Sequence, residues 1–245
     1  MSSISKKLRD LLSSDVPTAI LTGAGVSAEC GIPTFRGDDG LWKKFKPQEL
    51  ANVDAFLRNP ELVWNWYQHR REIINNVEPN PGHFCLARIE QKLSDFTLIT
   101  QNIDGLHRRA GSQNILELHG NIQRNKCIKC SRLYEELVDE ESETVPSCEC
   151  GGMIRPDVVW FGEMLPQEIL QKAYKATERS ALFLSIGTSA LVQPAASLPL
   201  LAEHRGAYLV EINTEPTVLT DLADEHFEGK FGEIFPRIIE ECGLE

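Results

Sequence analysis

Short apolar runs recur along the chain, separated by turns and by segments with the longer period of amphipathic helices. The runs are Ala19-Ile20-Leu21, Phe96-Thr97-Leu98-Ile99-Thr100, Ile115-Leu116-Glu117-Leu118, Leu182-Phe183-Leu184-Ser185-Ile186 and Ala207-Tyr208-Leu209-Val210-Glu211-Ile212. Continuous rather than alternating apolar character is what a strand buried on both faces requires, so these runs predict strands of a parallel sheet. Residues 2–14 set Leu8, Leu11 and Leu12 on one helical face, and further helices are predicted over 83–93, 195–204 and 231–242. Residues 42–76 read as helical and aromatic, with Trp42, Phe45, Phe56, Trp64, Trp66 and Tyr67. Asn59 suits the N-cap of a long helix that opens at Pro60. Strands alternating with helices place the chain in the α/β class, as a Rossmann-like, doubly wound parallel sheet.

Two excursions break that rhythm. Residues 30–77 and 121–157 are expected to form a smaller domain, a helical module plus a zinc ribbon. Residues 1–29, 78–120 and 158–245 make the Rossmann-like domain, and the cleft between the two is the expected site. No internal repeat and no low-complexity segment interrupts this plan.

The strand ends carry the candidate chemistry. The first run breaks at Gly23-Ala24-Gly25, where backbone without bulky side chains can approach a phosphate. Ser27-Ala28-Glu29 reads as the opening turn of a helix, whose free N–H groups favour an anion. Ala28 stands where the usual dinucleotide fingerprint has its third glycine. Gly31 to Gly37 is too polar and broken for a regular helix and predicts a loop over the bound group. Gln101-Asn102-Ile103-Asp104 follows the second strand, suited to binding an amide or ribose hydroxyls, or to capping a helix entered through Gly105. Gly187-Thr188-Ser189 and Asn213-Thr214-Glu215 end later strands on the same edge. His119, after the third strand, suits a general base near neutral pH, since its unperturbed pKa is about 6.5. His83 and His107 have no such support and receive no catalytic role.

Cys127-Ile128-Lys129-Cys130 is followed after seventeen residues by Cys148-Glu149-Cys150-Gly151-Gly152. Four thiolates in two close pairs suit tetrahedral zinc with no open position, so the metal is expected to be structural. Tyr67 and Arg70 lie three apart on one helix face and could receive a carboxylate. By helix mechanics alone, however, Arg70-Arg71-Glu72 reads as solvated surface charge.

Composition narrows the classes. The chain has 245 residues, 42% hydrophobic and 25% charged, as in a water-soluble globular protein. It has no apolar run of about 18 residues to span a membrane. The N-terminus lacks the apolar core and cleavage site of a signal peptide, which predicts a cytoplasmic protein. The net charge of −11 argues against nonspecific nucleic-acid binding and is compatible with lysine-rich protein substrates. Seven cysteines without an export signal do not suggest a disulfide framework.

Together these motifs resemble the sirtuin family of NAD-dependent protein lysine deacylases. The resemblance is carried by Gly23 to Glu29, Gly31-Ile32-Pro33-Thr34-Phe35-Arg36, Gln101 to Asp104, Leu118-His119-Gly120, the cysteine set, the stretch from Arg155 to Glu163, Gly187-Thr188-Ser189 and Asn213. It runs from about residue 17 to 235. Cys30 departs from the family's common serine.

The resemblance implies an NAD-binding set of Gly23, Ala24, Gly25, Ser27, Glu29, Pro33, Thr34, Phe35, Arg36, Trp42, Gln101, Asn102, Ile103, Asp104, Gly187, Thr188, Ser189, Asn213, Thr214, Glu215 and Phe231. NAD is implied as a co-substrate: nicotinamide leaves, the acyl oxygen attacks the ribose, and His119 activates a ribose hydroxyl, with Asn102 assisting. The products are free lysine, nicotinamide and 2′-O-acyl-ADP-ribose. Val159, Trp160, Phe161 and Gly162 are implied to pair with the substrate backbone as a strand. Tyr67 and Arg70, with the small Ala51, resemble the acyl pocket of class III members, which favour succinyl and malonyl groups. The competing readings are ADP-ribosyl transfer to protein, NAD hydrolysis, or a non-catalytic NAD-sensing adaptor.

Overall fold

The fold is described from a computed structural model over residues 4–34, 50–134 and 144–244. Among these residues lies a six-stranded sheet of β1 (Thr18–Thr22), β2 (Phe96–Thr100), β3 (Ile115–Glu117), β7 (Leu182–Ile186), β8 (Tyr208–Asn213) and β9 (Glu225–Glu228). Its order is β3-β2-β1-β7-β8-β9 and every pairing is parallel. That is the doubly wound order, with the direction of winding reversing between β1 and β7.

Alternate residues of each strand feed two cores. Ile20, Leu98, Leu184 and Val210 pack with α1 (Lys6–Ser13), α5 (Pro81–Lys92) and α9 (Phe231–Glu241). Ala19, Leu21, Ile99, Phe183 and Leu209 pack on the other face against α7 (Gln167–Arg179) and α8 (Ser197–His204). Both faces are thus covered, which is why the strands are apolar at successive positions.

A second, antiparallel sheet orders β5 (Leu133–Tyr134), β4 (Gly120–Cys127) and β6 (Ile154–Val158). The apolar pattern does not reveal this sheet, nor α7 or β9, and in each case the reason is visible. β4 and β6 bury Asn121, Asn125 and Arg155. α7 buries only the small Ala173, Ala176 and Thr177, and β9 buries only Phe227.

Beside this sheet stand α3 (Val53–Arg58) and α4 (Pro60–Asn75). Asn59 caps α4 as predicted, accepting from the Leu62 N–H at 3.2 Å, with Pro60 in the first turn. The surface-charge reading of Arg70 and Arg71 fails, because both are buried. Arg71 donates to Ile122 O at 2.7 Å, Gln68 Oε1 at 2.6 Å and Asn125 Oδ1 at 2.6 Å, tying α4 to β4. Phe35, Arg36 and Trp42, with Phe45 and Gly37, lie outside the described residues.

The glycines at the winding reversal have a packing role beside the one predicted for them. Gly23 N–H donates to Ile186 O at 3.0 Å and Gly25 N–H to Gly187 O at 2.8 Å. A Cβ on Gly25 would lie 2.8 Å from Gly187 Cα. Gly187 has φ +61°, and its own Cβ would meet Val26 N at 2.6 Å. The helix that follows, α2 (Gly25–Ala28), begins at Gly25 rather than at Ser27. Gly187→Ala is therefore expected to cost roughly 2–4 kcal/mol from left-handed backbone and overpacking together. In a thermal melt that is a fall in Tm of roughly 5–12 °C, and an unchanged Tm would contradict the packing argument.

Candidate active site

The carboxyl ends of β1, β2, β7 and β8 converge on one cavity of about 850 Å³. It is within the range of ligand sites, roughly 300–1,000 Å³. Gly23, Ala24, Gly25, Thr34, Gln101, Asn102, Ile103, Gly187, Thr188, Ser189, Asn213, Thr214 and Glu215 line it, all from the predicted cofactor set. His119, Ala51, Tyr67, Arg70, Val159, Trp160, Phe161 and Gly162 line the same cavity. Ser27, Pro33 and Asp104 line a smaller recess that shares Ala24, Arg70, Asn102 and Ile103 with the larger one. Glu29 and Phe231 line neither. Glu29 instead accepts from the Gly232 N–H at 2.9 Å. Phe231 is buried beside His83, their rings 5.5 Å apart, so its side chain serves the core under α5 and α9.

A polar chain crosses the strand ends. Gln101 Nε2 donates to Thr188 Oγ1 at 2.9 Å, and Asn213 Nδ2 to Thr188 O at 3.0 Å, so β2, β7 and β8 are held in register at the cavity. Asn102 Nδ2 donates to Gly23 O at 3.0 Å and Ser27 Oγ at 3.2 Å. Ser27 Oγ in turn donates to Asp104 Oδ2 at 2.8 Å. With its nitrogen committed, Asn102 keeps Oδ1 as its side-chain acceptor. Asp104 Oδ1 accepts from the Leu106 N–H at 2.9 Å, so this turn also opens α6 (Leu106–Arg109) through Gly105 at φ +77°. The helix-capping reading of the turn thus holds, while Gln101, Asn102 and Ile103 line the cavity. Burial raises the Asp104 pKa against the hydrogen bonds from Leu106 and Ser27.

His119 Nδ1 lies 2.9 Å from Gln101 O. A carbonyl can only accept, so Nδ1 carries the proton and Nε2 is left with a lone pair to take one. Burial lowers the His119 pKa, only partly opposed by that hydrogen bond, which keeps the ring neutral at physiological pH. His83 and His107 are buried with ring centroids 4.8 Å apart, and burial pushes His83 down to about 4. Neither ring lines the cavity, in keeping with the absence of a catalytic assignment.

Beyond β6, which ends at Val158, the stretch Val159 to Gly162 is held by bonds to neighbouring segments. Val159 N–H bonds His119 O at 2.9 Å and Phe161 N–H bonds Ala51 O at 2.9 Å. Glu163 N–H then closes a turn on Trp160 O at 3.0 Å, with Gly162 at φ +87°. The N–H groups of Val159 and Phe161 are thus used within the chain. Leu191, Val192, Gln193, Pro216, Thr217 and Val218 also line the cavity. Sequence reasoning gave them no part, and their only signal is position just beyond strand ends.

The four cysteine sulfurs lie within 4.8 Å of one another, with Cys127–Cys150 at 3.5 Å and Cys130–Cys148 at 3.7 Å. A tetrahedron of bonds of about 2.3 Å has edges of about 3.8 Å, so the set suits a structural zinc. A Cβ on Gly152 would sit 2.7 Å from Cys127 Sγ, which explains the glycine beside the second pair.

Comparison with known proteins places this arrangement. The Sir2 family model matches residues 23–194. The chain belongs to the Sir2 family. An NAD-dependent protein deacylase 2 of Pyrobaculum aerophilum is 50% identical over 234 residues, covering 95% of this chain and 93% of the relative. An NAD-dependent protein deacylase of Aquifex aeolicus is 52% identical over 211 residues, 86% and 88% of the two chains. A Sir2 homologue in complex with NAD is 44% identical, with TM-score 0.89 and coverage of 100% and 96%. A Sir2 complex with a p53 peptide and NAD+ is 36% identical, with TM-score 0.86 and coverage of 99% and 100%.

In this sirtuin, then, the donor set at the strand ends fits NAD, and the base predicted at residue 119 stands on the same cavity. An NMR titration of the imidazole protons should give His119 a midpoint below the ordinary value of about 6.5, with the signal absent in His119→Ala. A midpoint above that value would contradict the burial argument.

Proposed function

We propose that this sirtuin is a protein lysine deacylase that consumes NAD and favours acidic acyl groups such as succinyl and malonyl. The general activity is that named for its relatives. NAD supplies a leaving group, nicotinamide, and a ribose hydroxyl that receives the acyl group. The chain's own residues bind and orient. Asn102 offers an acceptor beside the Gly-Ala-Gly turn, His119 Nε2 takes a proton from a hydroxyl, and Ile103, Val159 and Trp160 supply apolar wall.

The acyl preference rests on one observation. Tyr67 and Arg70 are 3% and 7% exposed, yet both line the cavity that holds His119 and Ala51. A carboxylate brought out of water without a partner is strongly disfavoured, and a guanidinium can receive it through two hydrogen bonds. One charge-assisted bond contributes about 1.5–3 kcal/mol, which corresponds to roughly tenfold to hundredfold discrimination.

The test is a panel of one lysine peptide carrying acetyl, malonyl and succinyl groups, assayed with NAD. The succinyl and malonyl peptides should have the higher kcat/KM. Arg70→Met should lose that advantage by roughly tenfold to hundredfold. Desuccinylation left intact in Arg70→Met would remove Arg70 from the acyl site.

A further inference from the structure

The Tyr67 hydroxyl is held from behind. Trp160 Nε1 lies 2.8 Å from Tyr67 Oη. An indole N–H only donates, so the phenol oxygen is the acceptor in this bond. A phenol O–H favours the plane of its ring, where it has two settings. With the Trp160 proton directed at the oxygen from one side, the Tyr67 proton turns to the other.

Trp160 is itself clamped. The Arg155 guanidinium carbon lies 3.3 Å from the indole centroid, and Arg155 is only 2% exposed. Its Nη1 donates to Glu163 Oε1 at 2.5 Å, and its Nη2 to Glu163 Oε2 at 2.9 Å and Val158 O at 2.7 Å. Glu163 Oε2 also accepts the Trp160 backbone N–H at 2.7 Å, so one carboxylate grips both the backbone of Trp160 and the cation stacked on its ring. Phe56 packs against the same indole, with centroids 5.3 Å apart. Of these contacts only the bond from Nε1 to Tyr67 Oη requires an indole N–H, since Glu163 grips the Trp160 backbone.

We propose that Trp160 is a specificity-determining positioning residue: its indole N–H, clamped by Arg155 and Glu163, sets the Tyr67 hydroxyl as a donor toward the acyl carboxylate beside Arg70. Trp160 acts through Tyr67 and does not itself select the acyl group. The inference rests on the acidic-acyl reading above. It adds that the Tyr67–Arg70 pair is insufficient without an N–H donor at position 160. Burial raises the Tyr67 pKa, so the hydroxyl keeps the proton it would donate.

The experiment compares succinyl- and acetyl-lysine forms of one peptide with the wild type, Trp160→Phe, Tyr67→Phe and the double variant, at saturating NAD, with kcat and KM resolved. Trp160→Phe keeps an aromatic ring under Arg155 but has no N–H. Its succinyl-to-acetyl ratio of kcat/KM should fall about tenfold, the equivalent of one charge-assisted hydrogen bond, through a higher KM for the succinyl peptide. Once Tyr67 is phenylalanine, the same substitution should change the ratio by less than about twofold, because the two residues act as one unit. A ratio unchanged in Trp160→Phe while Arg70→Met abolishes the preference would overturn this inference alone. So would single effects that multiply in the double variant. A wild type with no succinyl preference, unaltered by Arg70→Met, would overturn the acidic-acyl reading and this inference with it. Should Trp160→Phe fail to fold, benzothienylalanine at position 160 deletes only the N–H and must give the same fall in ratio.

Discussion

The close approach of two backbones at the winding reversal is the constraint from which the rest of the site follows. Gly23 and Gly25 lie against Gly187 with no room for a Cβ on either side. That contact brings the ends of β1 and β7 together and starts α2 at the mouth of the cavity. It also places Gly23 O where Asn102 can hold it and Thr188 where Gln101 and Asn213 can. Asn102 and Asn213, which line the cavity, are therefore oriented by backbone carbonyls of neighbouring strand ends, and Gln101 by the Thr188 hydroxyl. A change of one methyl group at Gly187 would disturb several of them at once.

The strand-end side of the cavity and the side formed by Trp160, Tyr67 and Arg70 are built differently. Around Asn102, Ser27 and Asp104, short polar side chains close a chain of hydrogen bonds on strand ends. Around Trp160, the work is done by the buried Arg155 paired with the half-buried Glu163, an indole and a phenol reaching between β6 and α4. Breaking a buried pair by removing one partner is far more costly than the pair's net worth. In the proposed function Arg155 and Glu163 would serve specificity through rigidity, and His119 would serve the chemistry through one oriented nitrogen.

Legibility in the sequence followed the kind of interaction involved. The five apolar runs revealed the strands because parallel strands are buried on both faces, and the doubly wound sheet followed from their alternation with helices. β4, β6 and α7 stayed hidden: β4 and β6 bury Ile122, Ile154 and Val158 among Asn121, Asn125 and Arg155, and α7 buries only small side chains, so none gives a continuous apolar run. His119 could be found by its place after a strand, but its tautomer could not, since that depends on Gln101 O. Arg70 looked like surface charge because helix periodicity cannot tell a solvated face from one packed on a second sheet. Glu29 and Phe231 were placed with the cofactor by resemblance; in the structure Glu29 accepts from the Gly232 N–H and Phe231 packs in the core.

The central claim is that NAD and an acylated lysine are consumed together in one cavity, with His119 directing the acyl group to the ribose. The most direct measurement is the stoichiometry of products by mass spectrometry, from NAD and a succinyl-lysine peptide. The account predicts nicotinamide, free-lysine peptide and O-succinyl-ADP-ribose in equal amounts. Free ADP-ribose with the succinyl peptide intact, or ADP-ribose attached to the peptide, would contradict it.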